Sequence, residues 1–258
     1  MNQPTKTTKL YKNTVTIDFY EKYGRYSHIY IKRETNEWPI SVTGATSIVD
    51  KSRPLIFWAV GLMRDHLLEI VENGKAILSD NILEASKLHQ QKKEEAANKG
   101  SEVHNWIEQY INSKLKKNTE KPTMPKDEQI LNGVLAFLDW EKQHKVKFLA
   151  TEKLIYSKKH NYVGLMDAKA KIDGRVCVVD FKTSSGLYNE MRYQVAAYQG
   201  ADEEETGEQY TGNRWLIRFD KNTAEFEAHE LADFKKDYKT FIACLEVRRR
   251  EKELQKCK

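Results

Sequence analysis

A carboxylate and an ammonium group stand two residues apart at the end of a predicted strand. In segment 175–182 (RVCVVDFK) side chains alternate between faces, so Asp180 and Lys182 point to the same side. A hairpin with the preceding predicted strand, 164–172, brings Asp167 near Asp180. Because two converging carboxylates repel each other, a hard divalent ion with oxygen ligands would satisfy both. The spacing therefore suggests a metal site, while an exposed strand-end ion pair remains the alternative.

Further polar residues occur where they could join this site. Gln194 and Tyr198 are four residues apart on a predicted helix and share its face. His104 lies one position off the apolar stripe of another helix and could serve as a metal ligand, although a structural histidine is the alternative. Glu152 falls on the mainly apolar face of strand 147–156, where a carboxylate needs a partner.

The first half of the chain is predicted to be helical after a small β start. Short strands and turns are expected over 14–48, including strands 26–32 and 38–42. The region 116–129, with two prolines, is predicted to be a loop. Buried helical faces with i, i+4, i+7 spacing are predicted for Met63, Leu67, Ile70 and Val71; for Val103, Ile107, Tyr110 and Ile111; and for Ile130, Val134, Phe137 and Leu138.

The second half is predicted to form a mixed sheet flanked by helices. Strands 147–156, 164–172 and 175–182 alternate with period two, and Asp173-Gly174 is a strong hairpin signal. Met166, Ala168, Ala170 and Ile172 are expected to share one apolar face. A helix over 188–201, strands 215–219 and 224–230 and a helix from about Asp233 complete the pattern. The predicted class is α+β, with a single compact unit divided into 1–50 (a small β segment), 51–145 (helical) and 146–258 (core).

Composition narrows the classes of function. Lys and Arg number 43 against 38 Asp and Glu, a net charge of +5, and residues 247–258 alone contribute +4. Such a basic run can contact phosphates, although a solvated helix face is the more ordinary interpretation. Three distant cysteines favour neither a disulfide framework nor a four-thiolate site. No run approaches the roughly 18 apolar residues of a membrane span, so we expect a cytoplasmic protein without a membrane partner.

Five short motifs in sequence order resemble the RecB-like branch of the PD-(D/E)XK nuclease superfamily. This branch includes recombination nucleases, CRISPR-adaptation exonucleases, the mitochondrial genome-maintenance exonuclease and many phage exonucleases. Segment 41–61 also resembles the start of phage-type members. The motifs are G-x-x-x-H (Gly100 to His104), Glu152, G-x-x-D (Gly164 to Asp167), D-x-K (Asp180 to Lys182) and Q-x-x-x-Y (Gln194 to Tyr198).

The resemblance implies a restriction-endonuclease-like core that hydrolyses phosphodiesters with Mg²⁺ or Mn²⁺. Lys182 would orient the attacking water or stabilise the phosphorane. The sequence departs from the superfamily name because Met166, not proline, precedes Asp167, and it lacks the four cysteines of the iron–sulfur branches, so no iron–sulfur cluster is expected. The implied metal ligands are His104, Asp167, Asp180 and the Phe181 backbone carbonyl, and the implied supporting residues are Gln194, Tyr198 and Glu152.

DNA is the implied substrate. Aromatic and basic side chains near 51–58 could stack unpaired bases and neutralise phosphates, or could equally be core aromatics with a basic rim. Analogy with the family favours an exonuclease acting on single strands with a free end. A double-strand or structure-specific nuclease and a non-catalytic DNA-binding module are alternatives. No phosphate-binding loop motif is present, so unwinding would require a helicase or recombination partner. The predicted nucleic-acid contacts are Phe57, Trp58, Lys51, Arg53, Lys99, Lys158, Lys159 and Arg192.

Overall fold

A computed structural model describes residues 3–24, 26–115 and 120–256. An antiparallel three-stranded sheet opens the chain and consists of β1 (Lys6–Leu10), β2 (Val15–Tyr23) and β3 (Tyr26–Lys32). Its Leu10, Val15 and Ile17 pack against Leu154 and Val163 of the central sheet. The N-terminal β segment therefore covers part of the region that carries the predicted site.

The central sheet has six strands in the order β4-β6-β7-β8-β9, and β5 pairs along the other side of β6. β5, β6 and β7 form the predicted antiparallel meander, and β7 continues parallel to β8. Asp173 and Gly174 adopt positive φ angles of 49° and 81° in the turn between β6 and β7, as an Asp-Gly hairpin requires. The strands are β4 (Ile40–Ser41), β5 (Val146–Ser157), β6 (Tyr162–Ile172), β7 (Arg175–Lys182), β8 (Arg214–Phe219) and β9 (Phe226–Leu231).

Helices cover both faces of this sheet, which confirms a mixed sheet flanked by helices. One core cluster joins the third and fourth helices to β6 and β7, and the other joins the first, fifth and sixth helices to the opposite face. The helices are α1 (Val42–Thr46), α2 (Ser52–Glu72), α3 (Ser79–Lys114), α4 (Glu128–Gln143), α5 (Asn189–Thr206) and α6 (Phe234–Lys256).

Two of the three predicted helical faces are buried and one is not. The face from Val103 to Ile111 is buried in α3, and the face that begins at Ile130 is buried in α4. The carboxylate of Asp127 accepts hydrogen bonds from two N–H groups in the first turn of α4. By contrast, none of the 21 residues of α2, all within the described part of the chain, is buried. The predicted burial of Met63, Leu67, Ile70 and Val71 is therefore wrong. α2 packs mainly on α3 and leaves much of its apolar surface in solvent.

The predicted alternation along 164–172 is also wrong at its start. Met166 packs in the cluster with α5, whereas Ala168, Ala170 and Ile172 pack in the cluster with α3 and α4. Lys169 reaches α5, although it lies three residues from Met166, and a regular strand would send these two to opposite faces. The reversal falls opposite Glu152 of β5, whose φ of 47° is left-handed.

The predicted loop 116–129 ends where α4 begins, and residues 120–127 are neither helix nor strand, while 116–119 lie outside the described residues. Strand 38–42 is shorter than predicted, because Val42 already belongs to α1. Cys177 and Cys244 are free and buried, and Cys257 lies outside the described part. Among the described helices, none combines the length and apolar character needed to cross a membrane.

Candidate active site

The site lies where β7 separates from β6. The ladder between these strands ends at the pair Ala168–Val179, and β7 then continues beside β8 through Lys182. At this fork the Phe181 N–H donates a 2.8 Å hydrogen bond to Oδ2 of Asp167. A side-chain carboxylate thus replaces a backbone acceptor, which places Asp167 against the end of β7. The predicted metal contact of Phe181 is its carbonyl oxygen. The hydrogen bond to Asp167 uses the N–H of the same residue and does not involve that oxygen.

Asp180 is fully buried beneath this fork. Its Oδ2 is paired with Lys182 Nζ at 2.5 Å, and no described group donates a hydrogen bond to its Oδ1. Burial raises the pKa of Asp180 to about 6, and the Asp167 carboxylate adds to the rise while Lys182 opposes it. Burial lowers the pKa of Lys182, but Asp180 and Asp167 outweigh burial and hold that pKa above its ordinary value. The lysine therefore keeps its positive charge beside a carboxylate whose second oxygen has no donor.

His104 reaches the fork because α3 passes close to the end of β7. A Cβ at Gly100 would meet Oγ1 of Thr183 at 2.5 Å, so glycine permits this approach. One turn later, His104 Nδ1 is 3.8 Å from Oδ2 of Asp167. Burial and the Lys182 charge lower the pKa of His104 to about 4. The imidazole is therefore neutral at pH 7, which is the form that binds a metal.

Glu152 faces a neighbouring pocket. Together with His104, Thr183 and Glu108 it lines a space of about 450 Å³. Burial, followed by the charges of Asp167 and Glu108, raises the pKa of Glu152 to about 8. Glu108 is not among the residues predicted for the site, although its position four residues after His104 on α3 places both on one helix face.

Gln194 and Tyr198 form a pair behind the fork. Nε2 of Gln194 donates a 2.6 Å hydrogen bond to the Tyr198 hydroxyl, as their shared helix face predicts. Tyr198 is buried against Gly164, where an added Cβ would meet its ring at 2.7 Å. Burial, followed by the Asp180 and Asp167 charges, raises the pKa of Tyr198 well above its ordinary value. The tyrosine is therefore a neutral neighbour of both carboxylates.

Several predicted nucleic-acid contacts already have protein partners. Lys51 pairs with Glu190, Lys99 Nζ lies 3.3 Å from Asp127, and Arg192 Nε lies 3.8 Å from Asp237. Lys158 Nζ donates to Thr14 Oγ1 at 3.0 Å, and Lys159 is exposed in the same β5–β6 turn. These contacts do not test whether the lysines and Arg192 bind nucleic acid, so that role stays a prediction.

The aromatic residues of α2 are exposed. Phe57 is 69% exposed and Trp58 is 41% exposed, so the alternative that they are core aromatics is wrong. The Arg53 guanidinium lies 6.0 Å from the centre of the Phe57 ring. These three side chains are therefore free to meet a ligand.

Among the described residues, no group of three or more His, Cys, Asp and Glu side chains is arranged to hold a metal ion as it stands. The fork nevertheless supplies two carboxylates with acceptor capacity to spare and a neutral imidazole. Mg²⁺ commonly takes one or two carboxylates and completes its shell with water. Comparison of the chain with protein-family models and with curated proteins found no match.

Proposed function

We propose that this protein is a metal-dependent DNA exonuclease with a PD-(D/E)XK core of the RecB-like type. The observation that carries the proposal is the buried Asp180 carboxylate at the fork with Asp167: its Oδ2 is paired with Lys182, and among the described residues nothing donates to its Oδ1. A buried carboxylate oxygen without a donor requires a physical reason, and a divalent cation supplies one.

The donor set suits Mg²⁺ or Mn²⁺. Asp167, Asp180 and the neutral His104 would hold the ion, together with the Phe181 carbonyl. When bound, such an ion would supply Lewis-acid chemistry, lowering the pKa of a water and offsetting charge on the phosphodiester.

The residues of the chain have distinct parts in the proposed reaction. Lys182 keeps its charge and is 18% exposed, so its ammonium can orient the attacking water or contact a non-bridging oxygen. The hydrogen bond from Gln194 fixes the Tyr198 ring behind the carboxylates. Glu152 borders the pocket in front of them and can accept or hold a proton from water there.

The proposed substrate is single-stranded DNA with a free end, and this preference rests on the family resemblance. It is tested by digesting end-labelled single-stranded, double-stranded and circular DNA with Mg²⁺ or Mn²⁺. Wild type should shorten linear single strands and spare circles. Asp180→Asn and Lys182→Arg should each lower the rate by about 10²-fold or more, since each removes charge stabilisation or its geometry. Asp173→Asn and Lys171→Arg are matched controls at exposed positions and should retain the wild-type rate.

The outcomes separate the alternatives. Cleavage of circular DNA would show that the enzyme is an endonuclease. Faster digestion of duplexes than of single strands would show that it prefers double-stranded DNA. A wild type that binds DNA but cleaves nothing with either metal would overturn catalysis and favour a binding module. Full activity in Asp180→Asn would show that the site lies elsewhere.

A further inference from the structure

A second pocket adjoins the candidate site along α3. Its volume is about 380 Å³, which is the size of a single nucleotide rather than of a duplex. Trp58 of α2 forms one wall, and residues Thr183 to Ser185, which follow Lys182 directly, form another. Gln129 and the turn from Asp220 to Asn222 close the remaining side.

The two pockets are parts of one cleft. Thr183 borders both, and the adjacent residues Ala96 and Ala97 of α3 border one each. A strand whose phosphate lies at Asp180 and Lys182 would therefore place a neighbouring nucleotide within reach of Trp58. The residues of this second pocket lie outside the sequence motifs that suggest catalysis. Trp58 is the one described lining residue that is also a predicted nucleic-acid contact.

The polar lining favours an anion with hydrogen-bonding groups. Three cationic side chains, Lys92, Arg218 and Lys221, line the pocket against two carboxylates, Glu95 and Asp220. Arg218 is held by Asp220 and Glu227, and Lys92 by Glu95. Lys221 differs, because its Nζ donates to the Ala96 carbonyl at 3.0 Å and no described carboxylate lies within 4.0 Å of it. Its ammonium retains two donors for a phosphate.

Trp58 supplies the recognition element for a base. Trp58 lines the pocket and is 41% exposed, so part of its side chain is accessible to a ligand there. A base within a duplex already has stacking partners on both faces, whereas an unpaired base has a free face to offer. We propose that this pocket binds the unpaired nucleotide next to the cleaved phosphodiester, an inference that rests on the proposed function. The base would stack on Trp58, and Lys221 would hold the phosphate.

The test measures binding separately from cleavage. Dissociation constants for labelled oligothymidylate are measured in EDTA, and single-turnover cleavage is measured with Mn²⁺. Trp58→Ala should weaken binding about 5- to 150-fold, the range for losing one base–aromatic stack, and Trp58→Phe should lose less. Trp38→Ala is the matched control, because Trp38 is also 41% exposed but packs against Tyr23 and Tyr26 on the N-terminal sheet. It should bind as wild type does.

Abasic oligonucleotides locate the occupied position. A single abasic site moved along the oligonucleotide should weaken wild-type binding at one position about as much as Trp58→Ala does. At that position the two changes should not add, because both remove the same stack. Lys221→Ala should weaken binding equally on the normal and abasic strands and reduce its salt dependence.

The failures are distinguishable. If wild type cleaves DNA but Trp58→Ala matches Trp38→Ala, or the abasic effects add at every position, the nucleotide pocket is wrong and the nuclease stands. If wild type neither binds nor cleaves, the proposed function fails and the pocket with it. Circular dichroism and thermal unfolding of Trp58→Ala and Trp58→Phe establish that lost binding does not come from lost folding.

Discussion

Two buried aspartates, Asp180 and Asp202, have similar partners, but their pKa values are shifted in opposite directions. Both are fully buried and both contact lysine side chains. Asp202 accepts hydrogen bonds from Lys153, from Lys169 at 2.8 Å and from the Tyr210 hydroxyl at 2.7 Å. Burial raises the pKa of Asp202, but these three donors outweigh burial and hold the pKa below its ordinary value. Asp180 has no comparable set, and its pKa lies above the ordinary value.

The two aspartates differ in the number of their donors and in a neighbouring charge: Asp202 has three side-chain donors, whereas Asp180 has Lys182 alone and lies near the Asp167 carboxylate, which raises its pKa. Asp202 lies one turn after Tyr198 on α5, and its lysines come from β5 and β6 next to Glu152 and close to Asp167. Asp202 therefore joins the elements that carry the site, while Asp180, paired with Lys182 through Oδ2, keeps acceptor capacity at Oδ1 for a cation. Folding stability is expected to depend on Asp202 and activity on Asp180.

Removing the Asp202 charge should have the largest effect on stability. Asp202→Asn should lower the free energy of unfolding by about 3 kcal/mol, at the low end for a broken buried ion pair. The low end applies because each lysine has a second carboxylate nearby, Glu205 at 3.7 Å and Glu208 at 3.6 Å. Urea unfolding measures the change, with Asp173→Asn as control. A loss equal to that of Asp180→Asn would remove the contrast between the two aspartates.

Divalent cation should stabilise the protein through Asp180 and not through Asp202. At a Mn²⁺ concentration 100 times its dissociation constant, linkage adds about 2.7 kcal/mol to the free energy of unfolding. Thermal unfolding with and without Mn²⁺ should show this gain in wild type and in Asp202→Asn. Asp180→Asn should show little of it. An equal gain in Asp180→Asn would locate the cation elsewhere.

Crowding Tyr198 should disturb the Asp180 side specifically. In Gly164→Ala the new Cβ would lie 2.7 Å from the Tyr198 ring and 2.9 Å from Val42, which should cost about 2 kcal/mol and reduce cleavage. Gly61→Ala is the control, because a Cβ there meets no described atom within 4 Å, and a helical Gly→Ala change is mildly stabilising. Chemical unfolding and the digestion assay report both effects. Unchanged stability would mean that Tyr198 shifts freely.

The smallest expected effect is a pH dependence carried by Asp202. Its folded pKa lies below the unfolded value of 3.8, so its contribution is present above that value and is lost as the pH falls through the folded pKa. The difference in unfolding free energy between wild type and Asp202→Asn should therefore shrink as the pH is lowered below about 4. Metal-free urea unfolding at pH 7, 5, 4 and 3 measures it. A difference that grows toward acid pH would contradict the assigned hydrogen bonds.

Local signals in the sequence were sufficient for much of the central sheet. The strand 175–182 coincides with β7, and the Asp173-Gly174 turn follows from backbone preferences of two residues. The Gln194–Tyr198 hydrogen bond follows from helical spacing alone. The nuclease function and the PD-(D/E)XK core remain predictions, because they depend on chemistry that no spacing rule tests.

Long-range contacts explain what the sequence could not predict. The apolar spacing of α2 marks a face but says nothing about whether another element covers it. Asp202 bonds to Lys153 and Lys169, which are 49 and 33 residues away, so neither lysine could be assigned to it. The alternation that placed Met166 beside Ala168 reverses opposite Glu152 of the neighbouring strand, whose φ of 47° is left-handed, and no pattern within the strand itself signals this.

The hydrogen bond from the Phe181 amide to Asp167 makes one backbone proton a spectroscopic reporter of the fork. Its resonance should move when Asp167 changes charge or engages a cation, because its acceptor is a side-chain oxygen. Exchange of this amide proton with solvent should be slow when the Asp167 carboxylate is well ordered and faster when it is not. A single amide cross-peak can therefore follow occupancy of the site without a substrate or a catalytic turnover.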